Sequence, residues 1–423
     1  MDVLPTKYIA PKYVTRFRCI GADCEEACCS GWQVAVDPHH YEMLEQRMSG
    51  AADEREEFAR KLRRVDEVDR RNGKYALIVL NDAGDCSFYG ADRLCTLHKR
   101  YGHEFLSDTC ATYPRQVGLV GTRVELTAKV SCPEVARQLL LAPDAMTIAD
   151  IPSEAVERGV VNQSLAENPP ELYERAVDDV RGTILGMLGD VRYPFTSRLA
   201  FVACMADELE PLFHRGSTAA DSLVIRTLER SASDEMRKLI HREFSAMAVP
   251  DDFATMIVLR VILSCMHAGA GAFGRLIRSI FAQAGCDPSA PGPVGQEKAR
   301  LVLALYVMSK KRCESAWGPR LDTYFSRYAM NYFLQEWYTA APSLAAHTSR
   351  LVLRIAVLRF LLMCHPSIAQ ETPDEPTLDR AAVEVFFKFS RGVEHNPQFL
   401  AAIEKDFRER AGDIAHAMFL SKF

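Results

Sequence analysis

Eight of the thirteen cysteines crowd into the first third of the chain, and that crowding constrains the fold more than any other feature. Cys19, Cys24, Cys28 and Cys29 form one knot, C-x4-C-x3-C-C. Cys86, Cys95, Cys110 and Cys132 follow, with eight, fourteen and twenty-one residues between them. Grouped thiols bind soft metals, whereas isolated thiols among apolar residues act as small hydrophobes. Cys204, Cys265, Cys286, Cys313 and Cys364 are of the second kind. The eight grouped thiols are therefore the candidate metal ligands. Their spacing leaves zinc and iron–sulfur both open, because each takes four protein ligands and neither the repeated C-x2-C of zinc fingers nor C-x3-C-x2-C is present.

The chain begins MDVLPTKYIAPKY, which lacks the apolar core of a signal peptide, and has no run of eighteen apolar residues. A cytoplasmic protein that does not span a membrane is expected, and in a reducing compartment grouped cysteines favour metal over disulfide. The formal charge of -5 asks for no nucleic-acid partner.

Pattern divides the 423 residues in two. Residues 1–145 mix short strands, turns and short helices. Asp37-Pro38 predicts an N-cap followed by a helix, and the charged stretch 51–71 predicts a solvated helical face. YALIVL (75–80) reads as a strand ended by the turn Asn81–Gly84, and the alternating TRVELTA (122–128) is expected to pair with it. Ser131-Cys132-Pro133-Glu134 opens a further helix. Proline- and acid-rich residues 146–170 read as a linker. From 171 to 423 apolar residues recur three and four apart, which predicts a large all-α domain. The expected fold class is mainly α: an N-terminal cysteine-rich α+β metal or iron–sulfur module, then the helical domain.

Other motifs carry less. His39 and His40 are helical neighbours and do not face one site. His98 and His103 lie close enough to Cys95 in sequence to serve as mixed ligands. The glycines of 267–274 follow a helical run rather than a strand, so they read as an interhelix connection, not a nucleotide loop.

CIGADCEEACCSGWQVAVDP (19–38), the Cys86/Cys95 pair, SDTCATYPRQ (107–116) and SCPEVARQLL (131–140) together resemble the bacterial flagellin lysine N-methylases, with relatives among cysteine-cluster zinc- or iron-chelating proteins. The resemblance spans roughly the first third of the chain. It departs at Cys86-Ser87-Phe88-Tyr89, where the family often has Cys-Pro-Phe-Leu. It implies S-adenosylmethionine-dependent methylation of lysine ε-amines on flagellin, in the cytosol before assembly of the bacterial flagellum. It also implies a [4Fe–4S] cluster on cysteines of the N-terminal module. The position of the methyl donor is left open. Methylating an amine whose ordinary pKa is near 10.4 requires desolvation or a nearby base. Tyr113 and Glu134 are the motif residues placed to steer that amine. The competing reading is a non-catalytic zinc- or iron-binding scaffold, or metal-handling protein, whose helical domain docks a partner.

Overall fold

The computed structural model describes residues 5–66, 75–214, 220–249, 271–285, 296–394 and 414–423. It is mainly helical, with two small sheets, and divides into two compact units. Unit 1 comprises residues 1–138 and 148–164; unit 2 comprises residues 139–147 and 165–423.

Unit 1 begins with β1 (Lys7–Pro11) and the short α1 (Lys12–Arg16). The predicted cap at Asp37 forms: its carboxylate accepts from the His40 backbone N–H at 3.0 Å, and α2 runs Pro38–Arg47 after β2 (Ala35–Val36). The charged segment gives α3 (Ala52–Lys61) and then turns into β3 (Leu62–Arg64). β4 (Ala76–Ile78) is the expected strand, and Asn81 closes its turn by accepting from the backbone of Ala83 and Asp85. After α4 (Thr96–Tyr101) and α5 (Asp108–Thr112) come β5 (Arg115–Val120) and β6 (Arg123–Ala128).

The expected pairing of 122–128 with 75–80 is not what forms. β6 pairs antiparallel with β5 and parallel with β1, in register Lys7↔Arg123, whereas β4 lies between β2 and β3 in a separate three-stranded sheet. The reason is local. Gly121 adopts φ 55, which lets a two-residue turn join β5 directly to β6, so the nearest partner in sequence wins. Tyr13 secures the parallel partner: its buried hydroxyl accepts from the Ala128 backbone N–H at 2.9 Å.

Ser131–Glu134 starts α6 (Pro133–Leu141), as its sequence predicts. The stretch read as a linker carries β7 (Ile148–Asp150) and β8 (Gln163–Leu165), which extend the larger sheet to the order β7-β1-β6-β5-β8. Proline and acid content describe how a segment meets water, not whether its backbone finds a sheet edge.

Unit 2 contains α7 (Leu172–Arg175), α8 (Val177–Leu188), α9 (Phe195–Phe213), α10 (Ala220–Ala232) and α11 (Asp234–Ala246). Then come α12 (Ala272–Gln283), α13 (Gln296–Gln335), α14 (Leu344–Met363), α15 (Glu375–Phe389) and α16 (Ile414–Lys422). Within the region expected to be helical, residues 250–270, 286–295 and 395–413 fall outside the described residues, and with them 267–270 of the glycine-rich connection. The long α13 joins two helical segments. It bends at Trp317 (φ −132, ψ 18), two residues before Pro319, whose ring cannot continue a straight helix. α9 packs against α8, α10, α11, α14 and α16, and α14 is buried on all sides from Leu351 to Met363.

One ion pair in this unit sets a pH response. A hydrogen bond from His365 and a second from Lys388 (2.5 Å) pull the Glu384 carboxyl down to about 2 from its ordinary 4.5. A depressed acid contributes stability that is full above the unfolded-state value and disappears as pH falls through the folded one. Wild-type stability should therefore drop between pH 4.5 and about 2 more steeply than that of Glu384→Gln, measured as urea midpoints across that window. Parallel curves would remove Glu384 from the account.

Candidate functional site

The N-terminal core is small. Val36, Tyr41, Leu44, Met48, Ile78 and Phe88 form its centre, and Cys86 is buried among them at 4% exposure. Cys29, Cys95, Cys110 and Trp32 pack against the same cluster. Three backbone features bring these thiols in. The Cys86 N–H donates to the Cys29 carbonyl at 2.7 Å, which ties the knot to the segment after the Asn81 turn. An antiparallel bridge between Tyr89 and Cys95 closes the loop between them. Ser107 caps α5 by accepting from the Cys110 N–H, which fixes that thiol at a helix start.

The side chains interact accordingly. The Cys29 thiol is hydrogen-bonded to the thiols of Cys28 and Cys86, and those contacts, with burial, hold its proton on. The Cys86 thiol is pulled below its ordinary value, first by the hydrogen bond from Cys29. Burial pushes Cys95 up, and the charges of Cys86 and Cys28 add to it. Burial pushes Cys110 up to about 12, with Cys86, Cys95 and Cys28 again adding. Five of the eight predicted ligands, Cys28, Cys29, Cys86, Cys95 and Cys110, thus lie within electrostatic reach of one another.

The other three predicted ligands are Cys19, Cys24 and Cys132. Cys19 is exposed, and the Cys24 thiol donates to the Glu26 carbonyl at 3.2 Å. Cys132 is buried at the start of α6, where the Ala136 N–H donates to its carbonyl. The isolated thiols behave as small hydrophobes: Cys313 and Cys364 are buried, and burial pushes Cys204 up to about 11. Cys265 and Cys286 fall outside the described residues. His98 and His103 stack edge-on against each other at 5.9 Å, and His103 faces Glu157 at 3.7 Å.

Tyr113 and Glu134 sit beside the knot. The Trp32 indole donates to the Cys28 carbonyl at 2.6 Å, and its ring lies 5.4 Å from that of Tyr113. The Tyr113 hydroxyl shares a 3.0 Å hydrogen bond with Ser131, three residues before Glu134. Glu134 is 9% exposed and accepts from Gln138 at 2.8 Å and from Arg137, which also reaches Glu25 inside the knot. Sequence reasoning missed Arg137 and Ser131. The Glu134/Arg137 spacing of three on a helix was a usable signal for the first.

Asp37, His40 and Asp108 are the one group among the described residues whose ligand atoms all come within 4.8 Å. Arg158 occupies the place of a cation there: it reaches His40 Nε2 at 2.5 Å and Asp108 at 3.5 Å. Asp37 is pushed up by burial, but hydrogen bonds from His40 and from the Asp108 backbone outweigh that and hold it below the carboxylate range. This is a structural polar network that joins α2, α5 and the 158 loop.

Fold and site together define a mainly helical protein of two units whose N-terminal unit brings several thiols together near a half-buried Tyr113 and a buried Glu134. Residues 181–420 match the model of the FliB lysine N-methylase C-terminal domain. The chain belongs to that family. It is 30% identical over 141 residues to the lysine-N-methylase of Salmonella typhimurium, a stretch covering 33% of this chain and 34% of the relative. The lysine-N-methylase of Salmonella choleraesuis is 29% identical over 146 residues. A flagellar biosynthetic protein FliU of Salmonella muenchen is 29% identical over 141 residues, 80% of its length. The chain thus spans about a third of the length of the lysine-N-methylases it matches. No solved structure matches it. Among the described residues no helix is long and apolar enough to cross a membrane.

Proposed function

We propose that the chain methylates lysine ε-amines of flagellin with S-adenosylmethionine, in the cytosol, and that its N-terminal unit carries a [4Fe–4S] cluster. Membership of the lysine N-methylase family is the observation that carries the reaction class. The gathered thiols support the cluster. Cys28, Cys29, Cys86, Cys95 and Cys110 would hold it, four at a time. When bound, it supplies positive charge that offsets mutual thiolate repulsion and cross-links a unit with little core of its own.

The chain's own residues do the rest. Methyl transfer forms an N–C bond from a neutral amine, breaks the donor's C–S bond and releases S-adenosylhomocysteine. The Lys proton must leave before attack. Tyr113, half-buried, and Glu134, buried, offer an oxygen each to orient the incoming amine, while Ser131 and Arg137 fix their positions. In-line placement of this kind accounts for about 7–11 kcal/mol in favourable cases. Tyr113→Phe and Glu134→Gln are expected to lower kcat by about 100-fold each, with iron content unchanged, followed as S-adenosylhomocysteine release in the presence of flagellin. Full turnover in both variants would remove these residues from the mechanism. A colourless protein with stoichiometric zinc would instead favour the non-catalytic scaffold.

A further inference from the structure

Unit 2 contains a cavity of about 1220 Å3, lined by six cations and three carboxylates, with apolar surface from Phe325, Met330 and Met363. Three of the cations belong together: Lys310 on α13, Arg359 on α14 and Lys422 on α16. Lys310 pairs with Glu314 one turn along, at 3.1 Å. Arg359 is 3% exposed and donates to the Ser421 carbonyl at 2.9 Å. Lys422 donates to the carbonyls of Ser245 and Met247. Among the described residues, no carboxylate forms an ion pair with Arg359 or Lys422. Asp322, also in the wall, is 3.3 Å from Arg198 and feels Arg359 only at a distance.

Lys310 shares the wall of this cavity with both of the other cations. The Lys310 amine is held below its ordinary range, first by burial, then by Arg359, with Lys422 adding in the same direction. Half-buried like charges in a medium of reduced dielectric raise the free energy of the empty state. A multivalent anion placed among them would relieve that repulsion, and the apolar wall would seat its carbon skeleton. A sulfonium would add to the repulsion. We propose that this cavity binds a small polyanion, a metabolite with two or more phosphate or carboxylate groups, and that it is not the site of the cationic methyl donor. The inference stands independently of the methylation reading.

The test is calorimetric titration of the full chain with pyrophosphate and, separately, citrate at low ionic strength. One saturable site is expected for at least one of them, weakening as salt rises. The double variant Lys310→Gln/Lys422→Gln should lose affinity by about tenfold or more, because two of the three converging charges are gone. Arg192→Gln, whose guanidinium is exposed and already paired with Asp190 and Asp234, should stay within about twofold. S-Adenosylmethionine should not displace the bound anion. A fold control is built in: without ligand, Lys310→Gln should melt no lower than wild type, since it removes a repelled charge. The proposal is overturned if neither anion saturates, if the double variant binds as wild type does, or if the methyl donor competes.

Discussion

Cys86→Ser should yield a colourless protein that transfers no methyl group, even after anaerobic reconstitution with iron and sulfide. Cys86 is 4% exposed, ties to the Cys29 backbone, and its thiol is the one drawn below its ordinary value by its neighbours. Loss of a partner that merely supports a metal ligand costs about 10–100-fold in affinity or activity, so loss of a ligand thiol should cost at least about 100-fold. A serine hydroxyl is a poor ligand for iron and also places a polar group among Ile78 and Phe88. Cys86→Ala separates the two effects: it keeps the core apolar and should still lose iron. Cys204→Ala, at an isolated thiol in unit 2, should keep iron and turnover. Visible absorbance, iron content and S-adenosylhomocysteine release are the readouts. If Cys86→Ala retained full iron and turnover, the ligand assignment would fail at its best-connected member.

Arg198→Met is expected to destabilise unit 2 by about 3–5 kcal/mol, the usual cost of breaking one half of a buried charged network. Arg198 is 3% exposed and joins three elements. It donates to the Leu188 carbonyl at the end of α8 (2.8 Å), to Tyr193 before α9 (2.9 Å), and to Ser326 (3.2 Å) and Asp322 (3.3 Å) of α13. Burial is the main influence on both partners, pushing Arg198 down and Asp322 up. The pair therefore contributes little net stability, yet leaving Asp322 without its cation is costly. Asp322→Asn keeps an acceptor for the Phe195 N–H, which bonds it at 2.9 Å, so Arg198→Met/Asp322→Asn should recover part of the loss. Urea midpoints of the four proteins give the coupling. A single-variant loss below about 1 kcal/mol would show that the network is replaceable by water.

The features legible in the sequence were those set by neighbours within a few residues. Asp37 caps α2 because its own carboxylate meets the N–H three residues on, and Asn81 closes its turn in the same way. The helices of unit 2 follow from apolar residues spaced three and four apart, which a helix places on one face. Non-local pairing was not legible. Nothing in TRVELTA says that β6 lies beside residues 7–11 rather than 75–80; the difference rests on Gly121 turning tightly and on Tyr13 reaching Ala128. The site divides along the same line. Eight thiols stood out as a group, but the approach of Cys28, Cys29, Cys86, Cys95 and Cys110 depends on the Asn81 turn, the Tyr89–Cys95 bridge and the α5 cap acting together. The Asp37–His40–Arg158 network, joining residues more than a hundred apart, left no sequence signal at all.

The central proposal is that this chain methylates lysines of flagellin. Intact-mass analysis of flagellin, after anaerobic incubation with the iron-loaded chain and S-adenosylmethionine, tests it most directly. The account predicts successive additions of one CH2 per methyl, mapped to lysines by peptide fragmentation and absent when Cys86→Ala replaces the wild type. Unmodified flagellin, with cluster-replete protein and intact donor, would contradict it.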